Sequence, residues 1–187
     1  MLRTNIILLF FALVLSGCAT VPPIDFTVQD VGIVNTRKNV KLVSLTVGFA
    51  PQAQQKRVES YPGLPQLPPI WKEALQDAIN RALIFKDDGV SKINLSVRIT
   101  ETDLADFGLA MTTRVSAIYE IIDRANGDLL FAQEISNEAV IPMSYSLLGT
   151  VRGTESLNLA VRNNISDFIN LLEVTDISQP VFLGTKN

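Results

Sequence analysis

Alternating apolar and polar residues predict several β-strands. Residues 41–49 place an apolar side chain at every second position, which indicates a strand with one buried face. Those side chains are Val43, Leu45, Val47 and Phe49. Three later segments, 93–100, 114–121 and 129–135, alternate similarly, and Asn126-Gly127 suits a tight connection that needs positive φ. Residues 26–34 suggest a further short strand that contains Gly32.

Two segments instead repeat their apolar residues every three or four positions, as amphipathic helices do. The first begins at Pro68-Pro69, and we expect it to end at Asp87-Asp88-Gly89. The second follows residues 149–153, with Thr154 as a candidate cap and Asn164 as a polar interruption. The two stripes comprise Trp71, Ala74, Leu75, Ala78, Ile79, Ala82 and Leu83, and Leu157, Ala160, Val161, Ile165, Phe168, Ile169 and Leu172.

This element order predicts an α+β two-layer sandwich of the form β-α-β-β-β-α. Residues 50–69 are proline-rich and form a long connection, and residues 181–183 offer a short pairing segment. We expect a mixed, mostly antiparallel sheet of about four strands with two helices on one face. Because a helix separates the first two strong strands, the first should run parallel to a strand of the following meander.

The N-terminal residues predict an export signal. Arg3 precedes ten unbroken apolar residues, 6–15. A membrane-spanning helix needs roughly 20 such residues, so this run is too short to cross a bilayer. Its length matches the apolar core of a secretory signal peptide, which is removed from the mature protein.

The residues after the apolar run are Leu15-Ser16-Gly17-Cys18, which resemble the lipobox of bacterial lipoproteins. That resemblance implies recognition of Leu15, Ser16 and Gly17 by a signal peptidase, and cleavage before Cys18. It also implies a diacylglycerol on the Cys18 sulfur and an acyl chain on the new amine. The expected organisation is a signal over 1–17, a lipidated tether over 18–25 containing Pro22-Pro23, and a single α+β periplasmic domain over 26–187.

The resemblance also predicts where the protein resides. Ala19 follows the cysteine at the position where inner-membrane retention signals usually have aspartate. We therefore expect a protein anchored in the outer membrane and facing the periplasm. One acyl chain binds a membrane only reversibly, whereas two or three should hold the protein there.

Composition excludes several kinds of chemistry. The chain has no histidine, and its single cysteine is the expected lipidation site, so imidazole and thiol catalysis and His or Cys metal sites are excluded. It has 16 basic and 19 acidic residues without a basic cluster, which argues against a nucleic-acid partner. Asp87-Asp88 reads as a solvated turn. Glu101, Asp103 and Asp106 could form a cation or sugar site or simply a polar hairpin end. We expect no enzymatic activity and no cofactor beyond the lipid.

Two connections are unusually apolar. One contains Leu104, Phe107, Leu109 and Met111, and the other contains Met143, Tyr145, Leu147 and Leu148. Exposed apolar groups often mark contacts with proteins or membranes. Leu104, Phe107, Leu109, Tyr145 and Leu147 are therefore candidate partner contacts. The alternative is that these loops fold back and cover the ends of the sheet.

The element order resembles small outer-membrane lipoproteins, including YajG-like lipoproteins and auxiliary lipoproteins of intermembrane lipid transport. Besides the lipobox, the resemblance uses residues 71–75 at the start of the helix and residues 119–123 before the turn at Gly127. It implies a non-catalytic accessory subunit, anchored in the membrane, that binds another envelope protein. The alternatives are a carrier of a lipid, glycan or peptide and, third, a hydrolase.

Overall fold

A computed structural model describes residues 21–58, 63–104 and 108–181 of the chain. Strands β1 (Val40–Phe49) and β2 (Arg57–Val58) precede helix α1 (Leu67–Ala82). Three long strands follow, β3 (Ser91–Leu104), β4 (Ala110–Asp123) and β5 (Leu129–Pro142), and then helix α2 (Gly149–Val174). Short 3-10 turns lie at Gln52–Gln54 and Leu64–Gln66.

The strands form one sheet in the order β1-β3-β4-β5, and β2 pairs with β3 beyond the end of β1. β1 is parallel to β3, whereas β3, β4 and β5 form an antiparallel meander. This confirms the predicted α+β architecture and the parallel first strand. β1, β3 and β5 run in the same direction. Helix α1 follows β1 and β2, and helix α2 follows β5, so both helices begin at the end of the sheet where β1, β3 and β5 end.

Both helices pack on the same face of the sheet. Trp71 of α1, Tyr119 of β4, Phe131 of β5 and Phe168 of α2 are all buried between the two layers. The Tyr119 and Phe168 rings stack with centroids 4.2 Å apart, and the Phe131 ring meets Phe168 edge-on at 5.9 Å. These aromatic side chains fill the space between α2 and the sheet.

The segment predicted as a strand over residues 26–34 is not one. It is an extended strap that crosses both helices, and its backbone groups bond to helix atoms rather than to a strand. Arg81 donates to the Val28 carbonyl, and the Val34 amide donates to the Ala82 carbonyl at 3.0 Å. Phe26 is fully buried and meets Trp71 edge-on at 6.1 Å. The apolar residues that suggested a strand are thus buried against helices.

In β1 and β3, two β-bulges make the burial of some side chains differ from the prediction. Val43 was expected on the buried face, but a bulge between Leu42 and Ser44 leaves it 43% exposed. A second bulge between Ile99 and Glu101 buries Thr100 and Thr102 and carries β3 on to Leu104, beyond the predicted end. A bulge inserts one residue, so it reverses the in-and-out alternation on which both predictions depended.

The predicted ends of the helices were also wrong in detail. α1 stops at Ala82, because Leu83 adopts φ 54° and its amide bonds the Asn80 carbonyl, well before the expected stop at Asp87-Asp88-Gly89. α2 already begins at Gly149, so Thr154 lies inside the helix and its hydroxyl donates to the Thr150 carbonyl. Gly127 has the expected positive φ of 79°.

One residue of the predicted pairing segment, residues 181–183, contacts the sheet. The Val181 amide donates to the Leu129 carbonyl at 2.8 Å, at the start of β5. Phe182 and Leu183, the other residues of the predicted pairing segment, lie outside the described residues.

Candidate functional site at the apolar end of the sheet

The two apolar connections lie side by side at one end of the sheet. Ala110 at the start of β4 pairs with Pro142 at the end of β5, so the loops that precede and follow these residues are neighbours. Arg152, in the first turn of α2, joins them: its guanidinium donates to the Ser146 carbonyl at 2.6 Å and to the Gly108 carbonyl at 3.1 Å. Folding therefore combines two separate sequence segments into one surface, which we call the apolar end.

The most exposed apolar residues of this end are Leu109 and Leu147, at 78% and 80% of their surface, followed by Tyr145 at 56%. Met143 and Leu148 are also exposed. These five residues, Leu109, Met143, Tyr145, Leu147 and Leu148, form the candidate contact surface.

Not every residue of the predicted loops belongs to that surface. Leu104 lies in β3 and packs partly buried against the core, and Met111 is buried in β4. These two are strand residues rather than loop residues, because β3 and β4 extend further than predicted. Phe107 lies outside the described residues.

The two loops of the apolar end are connected by a buried charged residue, Arg152. Its side chain is almost fully buried, and no carboxylate of the described residues pairs with it. Its two Nη atoms instead donate to two backbone carbonyls, whereas its buried Nε has no hydrogen-bond partner among the described residues. Sequence reasoning missed this residue, because nothing in the local pattern shows that two distant loops share one cation.

The expected tether reaches the domain near the same end. The Asp25 amide donates to the Asn158 side-chain oxygen at 3.0 Å, and the Asn158 side-chain amide donates to the Pro23 carbonyl at 3.2 Å. Hydrogen bonds from Thr27 lower the pKa of the Asp25 carboxyl, which also lies 3.5 Å from Arg162. From Pro23 onward, the expected tether is therefore bound to α2 and does not hang free.

The opposite face of the sheet is polar and is covered by no helix of the described residues. Ion pairs cross it from strand to strand: Arg98 with Glu120 at 2.8 Å, Lys56 with Glu134 at 2.9 Å, and Arg114 with Glu138. The Lys56 ammonium is the main reason that the pKa of Glu134 lies below its ordinary value, and the Thr100 hydroxyl contributes. We call this surface the open face.

The carboxylates considered as a cation or sugar site do not converge. Glu101 accepts a hydrogen bond from the Ser116 hydroxyl at 2.8 Å, whereas Asp103 lies 3.3 Å from Arg57. Asp106 lies outside the described residues. Within the described ranges, no group of three or more acidic or thiol side chains is arranged to hold a metal ion.

A buried polar group explains the interruption in the stripe of α2. Asn164 is fully buried and makes three hydrogen bonds: it accepts from the Tyr119 hydroxyl at 2.8 Å and donates to the Ile135 carbonyl at 2.8 Å and the Asn137 side chain at 2.9 Å. Burial raises the pKa of Tyr119, which keeps its hydroxyl protonated as a donor. Asn164 thus fixes α2 against β4 and β5, and so helps to position the loop that precedes α2.

The helices offer no means of crossing a bilayer. Neither α1 nor α2 is apolar enough over a sufficient length to span a membrane.

No family model matches the chain, and no curated protein matches it in sequence. Several solved structures are similar in fold. A DUF330 protein from Xanthomonas campestris is 12% identical, with 80% of this chain and 91% of that one covered and a TM-score of 0.49. A minor lipoprotein from Acinetobacter baumannii is 10% identical, with 71% and 92% covered and a TM-score of 0.46. PelC from Paraburkholderia phytofirmans, a dodecamer, is 12% identical, with 77% and 95% covered and a TM-score of 0.46. Similarity at this level carries no functional argument.

Proposed function

We propose that this protein is an outer-membrane lipoprotein, anchored through Cys18, that serves as a non-catalytic binding subunit for another envelope protein. The anchor is supported by the lipobox-like residues Leu15, Ser16, Gly17 and Cys18. The absence of histidine from the sequence and the dispersed carboxylates support a binding role rather than catalysis.

The observation that carries the binding role is the open face. Both helices and the strap occupy one side of the sheet, and the described residues leave the other side uncovered. The three long strands, β3, β4 and β5, each have 14 residues. At about 3.4 Å per residue and about 4.8 Å between strands, they give the open face an area on the order of 700 Å². A standard protein interface buries about 600 to 1,000 Å² on each partner, and the area of the open face lies within that range.

The chemistry of the open face suits a folded protein partner. Ile118 and Ile122 of β4 lie among the ion pairs and are partly exposed, and Val140 of β5 is more exposed. Because the charges there are already paired with one another, the face does not require a strongly charged ligand. A mixture of apolar residues and satisfied polar groups is typical of protein interfaces.

Site-specific photocrosslinking in the envelope tests the proposal. A photoreactive residue at Ile118 or Val140 should capture one envelope protein, identified by mass spectrometry, whereas the same residue at exposed Glu73 of α1 should not. The Cys18→Ser variant should leave the membrane fraction and lose the crosslink. A membrane-bound protein without a specific crosslink at either open-face position would contradict the binding role.

The carrier alternative has less support. The interior between α2 and the sheet is filled by aromatic side chains, so a ligand would need a surface cleft. One cleft of about 450 Å³ lies between residues 36–40, 90–91 and 176–178, at the opposite end from the apolar surface. Native mass spectrometry that found a co-purifying lipid, glycan or peptide would favour this alternative over a protein partner.

A further inference from the structure

The apolar end is free of charge over a long stretch. From residue 139 to residue 151 the sequence contains no acidic or basic side chain, although charged residues make up 19% of the chain. The exposed residues in this stretch are Val140, Pro142, Met143, Ser144, Tyr145, Leu147, Leu148 and Thr150. A tyrosine beside aliphatic residues is typical of surfaces that sit at a membrane–water interface.

The hydrogen bonds at the two ends of the strap show along which direction it crosses α2. The residues just before the strap, Pro23 and Asp25, contact α2 at Asn158. The residue just after it contacts α2 at Glu173, where the Asn35 amide donates to the carboxylate at 2.6 Å. The strap therefore runs from the N-terminal half of α2 toward its C-terminal end. Pro23 therefore lies beside the N-terminal half of α2, which is the half nearer the apolar end.

The reach of the tether sets the distance to the anchor. Asn158 lies nine residues after Gly149, so it is about 14 Å along the helix from the start of α2. Cys18 precedes Pro23 by five residues, which reach at most about 17 Å when fully extended. Cys18 itself can thus lie only a few ångströms beyond the level of Gly149, and its lipid enters the bilayer from there.

That distance is too small for another protein to fit between the anchor and the apolar end. A single helix is about 10 Å wide. The loops that carry Leu109, Tyr145 and Leu147 lie beside the first turn of α2, because Arg152 in that turn donates to the Gly108 and Ser146 carbonyls.

We propose that the apolar end docks on the bilayer that holds the lipid anchor, with Leu109, Tyr145, Leu147 and Leu148 inserted at its surface. This inference rests on the proposed lipidation of Cys18. The anchor and the loops together give the domain one orientation, in which the strands stand away from the membrane and the open face is presented sideways to a partner.

Environment-sensitive labelling tests the docking, because Cys18 is the only cysteine and lipidation blocks it. Leu147→Cys and Val174→Cys place a single free thiol on side chains that are each 80% exposed, at opposite ends of α2. The full lipidated variants, labelled with a nitrobenzoxadiazole dye, are reconstituted into vesicles of phosphatidylethanolamine and phosphatidylglycerol. A spin-labelled phospholipid in the bilayer then serves as the quencher.

Docking predicts blue-shifted emission and strong quenching from the label at Leu147→Cys, and water-like, unquenched emission at Val174→Cys. Equal, water-like signals from a protein whose mass shows the lipid would overturn the docking and leave the anchor intact. Mass spectrometry that found Cys18 unmodified would instead overturn the lipoprotein proposal. A photoreactive residue at Leu147 that captured a protein in the envelope would also overturn the docking, since that surface would belong to a partner.

Discussion

The buried Asn164 side chain provides the sharpest test of how α2 is fixed to the sheet. Asn164→Leu keeps the four heavy atoms and the branch at Cγ but removes three hydrogen bonds, to Tyr119, Ile135 and Asn137. At about 1 kcal/mol each these bonds account for about 3 kcal/mol, and burying the Tyr119 hydroxyl without Asn164 adds a further cost. Burial of the leucine side chain offsets about 1 kcal/mol of this loss. We expect the free energy of unfolding to fall by about 3 kcal/mol.

Urea denaturation measures this change directly. Trp71 is the only tryptophan and is fully buried, so its fluorescence reports on the core. Tyr119→Phe provides a double-mutant cycle with Asn164→Leu. In the natural protein Tyr119→Phe should destabilise by about 1 to 3 kcal/mol, because it leaves the Asn164 oxygen without its donor. In the Asn164→Leu variant it should be neutral or stabilising, because it removes a hydroxyl that has already lost its acceptor. A loss below about 1 kcal/mol for Asn164→Leu, or the same Tyr119→Phe effect in both backgrounds, would refute this reasoning.

Three further perturbations can be followed by the same denaturation assay. Gly89→Ala would place its Cβ 2.6 Å from the Lys41 amide nitrogen and should destabilise the protein by about 1 to 3 kcal/mol. Gly153→Ala lies in open space within α2 and should stabilise the protein by up to about 1 kcal/mol. A similar effect of both substitutions would contradict the steric explanation. Lys38→Met removes donors to the Glu173 and Thr175 carbonyls at the end of α2 and should cost about 1 to 3 kcal/mol; an unchanged midpoint would show that this cap is dispensable. Glu134→Gln should cost up to about 1 kcal/mol at neutral pH, because the lowered pKa of this exposed carboxyl gives stability that is complete above its ordinary value of 4.5. This cost should disappear as the pH falls from 4.5 through the lowered pKa, and a pH-independent cost would contradict the ion-pair explanation.

The sequence predicts the architecture well where one periodicity continues without interruption. The alternation from Ile93 to Ile99 predicts β3, and the parallel pairing of β1 follows from the helix between them. The prediction failed at β-bulges, because one inserted residue reverses the alternation and makes Val43 exposed and Thr102 buried. It also failed for the strap, since an extended segment that contacts helices has the same apolar spacing as a strand.

The candidate site was predictable in its parts but not in its assembly. Leu109, Tyr145 and Leu147 stand out as apolar residues in loops, and the structure leaves all three exposed. Their meeting at one end depends on the register between β4 and β5 and on Arg152, and neither can be read from local pattern. Asn164 could be noticed as a polar interruption, but its partners come from strands far away in sequence.

The most direct test of the proposed binding role is photocrosslinking from Ile118 on the open face in the intact envelope, compared with Glu73 on α1. The proposal predicts one envelope protein captured from Ile118 and none from Glu73, with capture lost in Cys18→Ser. A lipidated, membrane-bound protein that captures no partner from the open face would contradict it.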